Sequence, residues 1–219
     1  MNWYKKFGFN QNPLSIKPSE KFELFFDNKN LLEDVINAIG KKENIVLKGK
    51  LGTGKTSVLK KIIKKFGGSR KIYYYNAFSA SSSLDFDRVI KKAGGFFSRF
   101  FNLKSKEVVL FIDEASHLKD ENIKELKNYL GNYFKSVILA SSDTNYKVPK
   151  ELEDSFNQTI DFENFTQNDA YNLIKNRLGE DIYKEIFKDS DIKSIYQKNK
   201  TPREFLLKCD SFCHKKHSK

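Results

Sequence analysis

The stretch from Asn44 to Ile63 constrains this chain more than any other. It opens on an apolar, largely β-branched run, Asn44-Ile45-Val46-Leu47. It then turns through Gly49-Lys50-Leu51-Gly52-Thr53-Gly54-Lys55-Thr56 and continues as Ser57-Val58-Leu59-Lys60-Lys61-Ile62-Ile63, apolar at helical spacing. Strand, glycine-rich loop and helix in that order are the setting a phosphate-binding loop requires. Gly49, Gly52 and Gly54 let the backbone bend without Cβ clashes, so that the N–H groups from Gly52 through Ser57 can turn inward on an anion. The helix N-terminus adds its positive dipole end. Lys55 can reach the outer phosphates of a nucleotide, and the Thr56 hydroxyl can ligate Mg²⁺.

The remainder of the chain alternates in the same manner. Apolar residues at 31, 32, 35, 36 and 39 predict a helix before the loop. Lys71-Ile72-Tyr73-Tyr74-Tyr75 predicts a second strand ending at Asn76, followed by a mostly small and polar loop over 77–83 and a helix over 84–93. Val108-Val109-Leu110-Phe111-Ile112 is a continuous apolar run, as a strand buried on both faces of a parallel sheet requires, and it ends in Asp113-Glu114. A helix follows over about 120–131, then the strand Val137-Ile138-Leu139-Ala140 ending in Ser141-Ser142-Asp143, then a short strand over 159–162. Strands alternating with helices give a parallel α/β sheet. From Thr166 the pattern is helical only, with Thr166 and Asp169 as a capping pair and Thr201-Pro202 opening the last helix. The expected organisation is an α/β base over 1–165 and a small helical lid over 166–219. The aromatic N-terminal segment 1–27 is wrapped on the domain. A run of Phe96, Phe97, Phe100 and Phe101 beside Arg99 is expected to pack a helix into the core.

The chain carries 40 Lys and Arg against 28 Asp and Glu, a net charge of +12. This excess suits a polyanion partner such as DNA and suits a lysine-rich solvated surface equally well. Lys60, Lys61, Lys64, Lys65, Arg70 and Lys71 fall in a stretch without an acid, and Lys208, Lys215, Lys216 and Lys219 make the tail basic. Any DNA affinity from such lysines is expected to be non-specific and salt-sensitive. No apolar run approaches a membrane span and no secretory leader is visible, so a cytoplasmic protein is expected. Cys209 and Cys213 share a helical face with His217, but their spacing is not a standard zinc pattern, and reduced, partly buried thiols are expected.

An acidic pair at the end of an apolar strand is the partner such a loop needs. Asp113 is the candidate to hold Mg²⁺, and Glu114 to orient and polarise an attacking water. Ser141 or Ser142, at the tip of the next strand, can hydrogen-bond that water. Asn76, ending the second strand, can hydrogen-bond Glu114 and gate it. Arg203, at the start of the last helix, can reach a γ-phosphate if the lid closes.

Together these residues resemble the AAA+ ATPases. Gly49–Thr56 is similar to the Walker A motif, Val108–Glu114 to Walker B, Ser142 falls at the sensor 1 position, and Thr201-Pro202-Arg203 resembles the sensor 2 signature. Tyr75-Asn76 and Pro202-Arg203 resemble the origin-recognition and initiator branch. Asn12-Pro13 and Asp113-Glu114-Ala115 with Leu118 are also similar to transposition-helper and secretion-associated ATPases. The resemblance implies a P-loop NTPase sheet of order 5-1-4-3-2 and ATP or ADP with Mg²⁺ between base and lid. It further implies adenine packed on the Phe9–Ile16 segment, and nucleotide-dependent assembly into homo- or hetero-oligomers acting in a DNA transaction. Two departures follow. The stretch Val148 through Phe156, where the family places an arginine finger, holds no arginine, so hydrolysis is expected to be slow unless a protein partner or neighbouring subunit supplies one. Initiators also usually carry a winged-helix domain, and this chain ends at Lys219, just past the lid. The alternative expectation is a nucleotide-gated protein-interaction switch with no direct DNA role.

Overall fold

A computed structural model of the chain describes residues 2–16, 29–66, 71–80, 83–93, 107–162, 165–198 and 201–217. The expected aromatic run 96–101 with Arg99, the segment 17–27, Arg70 and Lys219 lie outside the described residues. The chain divides into two compact units. One comprises residues 29–50 and 58–162; the other comprises residues 1–28, 51–57 and 163–219.

The larger unit is built on a five-stranded sheet of order β2-β3-β4-β1-β5, all pairs parallel. Its strands are β1 (Ile45–Lys48), β2 (Ile72–Asn76), β3 (Val108–Asp113), β4 (Phe134–Ser141) and β5 (Gln158–Asp161). This is the expected 5-1-4-3-2 order read from the other edge. The helices are α1 (Lys29–Gly40), α2 (Lys55–Lys65, which enters this unit at Val58), α3 (Phe86–Ala93) and α4 (Asp120–Tyr129). All six residues of β3 are buried, as its unbroken apolar run requires, and side chains alternate between the two faces. Val46, Leu110, Ile112, Val137 and Leu139 join one core with Phe86, Val89 and Ile90 of α3 and Leu126 of α4. Ile45, Leu47, Phe111, Ile138 and Ala140 fall on the alternate positions and are fully buried too.

Asn44 sets the start of β1 between its neighbours. Its Oδ1 accepts from the Val137 N–H at 2.8 Å and its Nδ2 donates to the Ser155 carbonyl at 3.0 Å. The resulting register brings the strand ends into line. Lys48 of β1 pairs with Ser141 of β4 and with Asp161 of β5, and Asn76 of β2 pairs with Asp113 of β3. In a parallel sheet all these ends fall on the carboxyl edge, where ligands of open α/β sheets bind.

The smaller unit holds the C-terminal helices α5 (Gln167–Leu178), α6 (Glu180–Ile186), α7 (Asp189–Lys198) and α8 (Pro202–His217). The Thr166–Asp169 capping box closes the start of α5: the Asp169 N–H donates to Thr166 Oγ1 at 3.2 Å, and the Thr166 N–H donates to Asp169 Oδ2 at 2.8 Å. Thr201 caps α8 by accepting the Glu204 N–H at 3.2 Å.

The N-terminal segment shares this core. Trp3, in a 3₁₀ turn over Trp3–Phe7, and Leu14 are buried with Leu173, Phe205, Cys209 and Cys213. The Trp3 indole N–H donates to Asp210 Oδ1 at 2.7 Å. Arg177, 3% exposed, reaches from α5 and donates through Nη1 to the carbonyls of Pro13 and Ser15, both at 3.0 Å. Burial draws its guanidinium down to about 9. The same burial pushes the Cys213 thiol up to about 12, and Cys209 is raised as well, so both stay protonated thiols in the core. Among the described residues no cluster of three metal-ligating side chains occurs, nor is any helix long and apolar enough to cross a membrane.

Trp3→Ala removes a fully buried indole and its hydrogen bond to Asp210. It should cost about 3–5 kcal/mol of stability, read as a lowered urea midpoint by circular dichroism. A midpoint within error of wild type would mean that the N-terminal segment does not hold the helical core.

Candidate nucleotide-binding residues and the acidic strand end

The glycine-rich loop leaves β1 at Gly49, and α2 begins at Lys55. Gly52 and Gly54 have φ of +87° and +102°, a backbone that a side chain strains. Lys55 is 4% exposed, while Thr53, Thr56 and Ser57 are half-buried. The first turn of α2 contains no acidic residue, so its dipole end stays positive. These are the properties of an anion cradle, and they fit a nucleotide's phosphates.

The loop and the start of α8 belong to the same unit and meet directly. The Arg203 N–H donates to the Gly52 carbonyl at 3.3 Å. A methyl group at Gly52 would stand 2.7 Å from Arg203 Cβ and 3.5 Å from Thr201 Oγ1. Gly52 is therefore required twice over, by its backbone angle and by the approach of Arg203 at the start of α8. The exposed Arg203 side chain starts from a main chain already tied to the loop.

The second group of candidates lies in the sheet unit. Asp113 is fully buried at the end of β3. The Tyr74 hydroxyl donates to its Oδ2 at 2.7 Å and the Glu114 N–H to its Oδ1 at 3.1 Å. Burial first, then the hydrogen bond to Asp113, push the Tyr74 phenol well above its ordinary value. Carboxylate and hydroxyl oxygens, at Asp113 in this unit and at Thr56 in the other, are the ligand type that a hard cation such as Mg²⁺ takes. Tyr74 was not among the sequence candidates. Its only signal is strand alternation, which places it on the same face as Asn76.

Glu114 follows in a left-handed conformation, φ 54° and ψ 48°, uncommon for a residue with a side chain. Its Oε1 accepts the Ser142 hydroxyl at 2.6 Å. Ser141 is buried and turned elsewhere, accepting the Asp143 N–H at 3.1 Å, so of the two serines it is Ser142 that meets Glu114. Asn76, expected to hydrogen-bond Glu114, is engaged in its own turn: its Oδ1 accepts the Ser79 N–H at 2.9 Å. Over 148–156, Lys150 is exposed, and Leu152 anchors the stretch in the core.

Comparison with known proteins identifies the class. A family model described as an AAA domain matches residues 41–166, more than half of the 219 residues, and the chain belongs to that family. No curated protein sequence matches it. Among solved structures it is similar to Cdc6p from Pyrobaculum aerophilum, with a TM-score of 0.64 and 16% identity over 96% of this chain and 67% of that one. It is also similar to the RuvB Holliday junction branch migration motor of Thermotoga maritima, with a TM-score of 0.59 and 16% identity over 90% of this chain and 64% of that one. At such identities the likeness is one of fold: an AAA+ ATPase fold spanning about two thirds of those longer chains.

Gly52→Ala should lower stability by about 1–2 kcal/mol, from the left-handed backbone together with the clash at Arg203. Adding Arg203→Gly removes the Cβ in the way and should restore part of that loss in a thermal melt. If the double variant is no more stable than the sum of the two single changes predicts, the two residues do not meet as described.

Proposed function

We propose that the chain is an ATP-binding AAA+ ATPase that acts in a DNA transaction through nucleotide-dependent assembly. The observation that carries this reading is the order of strand ends on one sheet edge. The glycine-rich loop follows β1, Ser142 follows β4 beside it, and Asp113-Glu114 ends β3 beyond that. In the proposed site, loop N–H groups from Gly52 to Ser57 and the Lys55 ammonium hold the β- and γ-phosphates. Thr56 and Asp113 hold Mg²⁺, which neutralises developing charge when it is bound. Glu114 orients and polarises the attacking water, with Ser142 setting its position. Arg203 senses the γ-phosphate from the lid, and the Phe9–Ile16 segment packs the base. The DNA role draws on the net charge of +12 and on exposed lysines of α2 such as Lys60 and Lys64. The initiator-like and transposition-helper-like readings both remain within it.

A second reading, favoured by the absence of arginine over 148–156, is a switch that binds ATP tightly and hydrolyses it only when a partner supplies the finger. Turnover with and without DNA separates the two, because fast DNA-stimulated hydrolysis excludes the pure switch. Retention of DNA on a filter across salt concentrations tests the DNA role, and absence of ATP-dependent retention even at low salt rejects it.

Lys55→Ala should abolish nucleotide binding in a fluorescent-nucleotide titration. Glu114→Gln should bind ATP with wild-type affinity while turnover falls by about a hundredfold or more. Wild-type turnover in the second variant would remove Glu114 from the mechanism.

A further inference from the structure

Phe78 is the most exposed large apolar side chain among the described residues, at 71%. Two others, Leu51 at 64% and Leu207 at 48%, are aliphatic. A single exposed apolar residue is ordinary on a protein surface. Phe78 differs because of how it is held and what stands beside it.

It lies at the tip of the turn after β2, and that turn is fixed at three points. The Ala77 N–H donates to the Asp113 carbonyl at 2.9 Å, the Ser79 N–H to Asn76 Oδ1 at 2.9 Å, and the Ala80 N–H to the Asn76 carbonyl at 3.2 Å. The ring of His117 lies edge-on to it, with centroids 5.0 Å apart and planes at 75°. His117 is itself anchored, its N–H donating to the Glu114 carbonyl at 2.9 Å. The two rings form an open corner, with one apolar face and one face that carries ring nitrogens. Ser116 and Lys119 flank His117 in sequence and are exposed; Ser116 Oγ lies 3.4 Å from His117 Nδ1, and Lys119 Nζ donates to Ser83 Oγ at 3.5 Å.

We propose that the Phe78–His117 corner is a stacking site for an unpaired base of single-stranded DNA; this rests on the DNA reading above. A base offers what the corner lacks. Its π-face covers the exposed Phe78 ring, and its polar edge meets the imidazole and the Ser116 hydroxyl. Its phosphates suit Lys119 and a chain of net charge +12. The rigid turn keeps the ring outward before any ligand arrives, so little ordering entropy is lost on stacking. In a duplex all base faces but those of the terminal pairs are stacked on one another, so paired DNA has few to give.

Phe78→Trp tests this directly, because Trp3 is the sole native tryptophan and is fully buried. An oligo(dT) strand at low salt should quench the new indole, while a duplex of the same length should leave it unchanged. Phe78→Ala should weaken retention of the same oligonucleotide about tenfold. Phe78→Trp that retains oligo(dT) without quenching overturns the stacking site and leaves the DNA reading standing. Equal quenching by the duplex overturns the preference for an unpaired base. Failure of the wild-type protein to retain any DNA rejects the DNA reading and this proposal with it.

Discussion

The Asp113 carboxylate is the charge on which the sheet edge depends. It sits fully buried at the end of a strand with no exposed residue, where an unpaired charge would cost several kcal/mol. The Tyr74 hydroxyl and the Glu114 N–H answer that demand, and the Asp113 carbonyl takes the Ala77 N–H. The β2–β3 pair is thus tied at its tip by side chain as well as by ladder. The turn carrying Phe78 and the left-handed step at Glu114 both start from those ties. Truncating Asp113 would therefore loosen the strand tip and the turn as well as remove a carboxylate.

The division of the chain separates two kinds of chemistry. The phosphate loop from Leu51 to Ser57 groups with the N-terminal segment and the C-terminal helices. Asp113, Glu114 and Ser142 belong to the sheet unit. On the proposed function, the residues that grip and sense the nucleotide form one compact unit, and those that activate water form another. Arg203 and Gly52 share a main-chain hydrogen bond, so on the same proposal a phosphate in the loop would act on the first turn of α8 through the Gly52 peptide.

Much of this was legible in the sequence because the signals were local. The unbroken run Val108–Ile112 closed by two acids predicts a strand buried on both faces, and β3 is buried throughout. The Thr166–Asp169 spacing predicts the capping box that closes the start of α5. What was not legible depends on which distant segments meet. Tyr74 looked like one of three tyrosines in a strand, and only the β2–β3 register brings its hydroxyl to Asp113. Aromatic residues near the N-terminus signalled packing without saying on which core, and Trp3 and Leu14 prove to belong with the C-terminal helices. Phe78 stood in a stretch that read as small and polar, and no periodicity marks a ring that a tight turn holds outward.

Glu114 carries the last of these differences. Asn76 looks like its gate because it ends the neighbouring strand, yet its Oδ1 is taken by the Ser79 N–H and its side chain also meets Tyr74, while Glu114, in a left-handed conformation, accepts from Ser142. A hydrogen bond of 2.6 Å between a hydroxyl and a carboxylate is charge-assisted, worth about 1.5–3 kcal/mol. On the proposed mechanism Ser142 holds Oε1 of Glu114, and a water that takes its place at that oxygen must displace the bond. The Ser142 hydroxyl has a single proton to give. A phosphate oxygen or a water that accepts it frees the carboxylate at the moment the substrate is in place. On that mechanism the resting bond to Ser142 lowers idle activation of water, and the absence of arginine over 148–156 would act in the same direction.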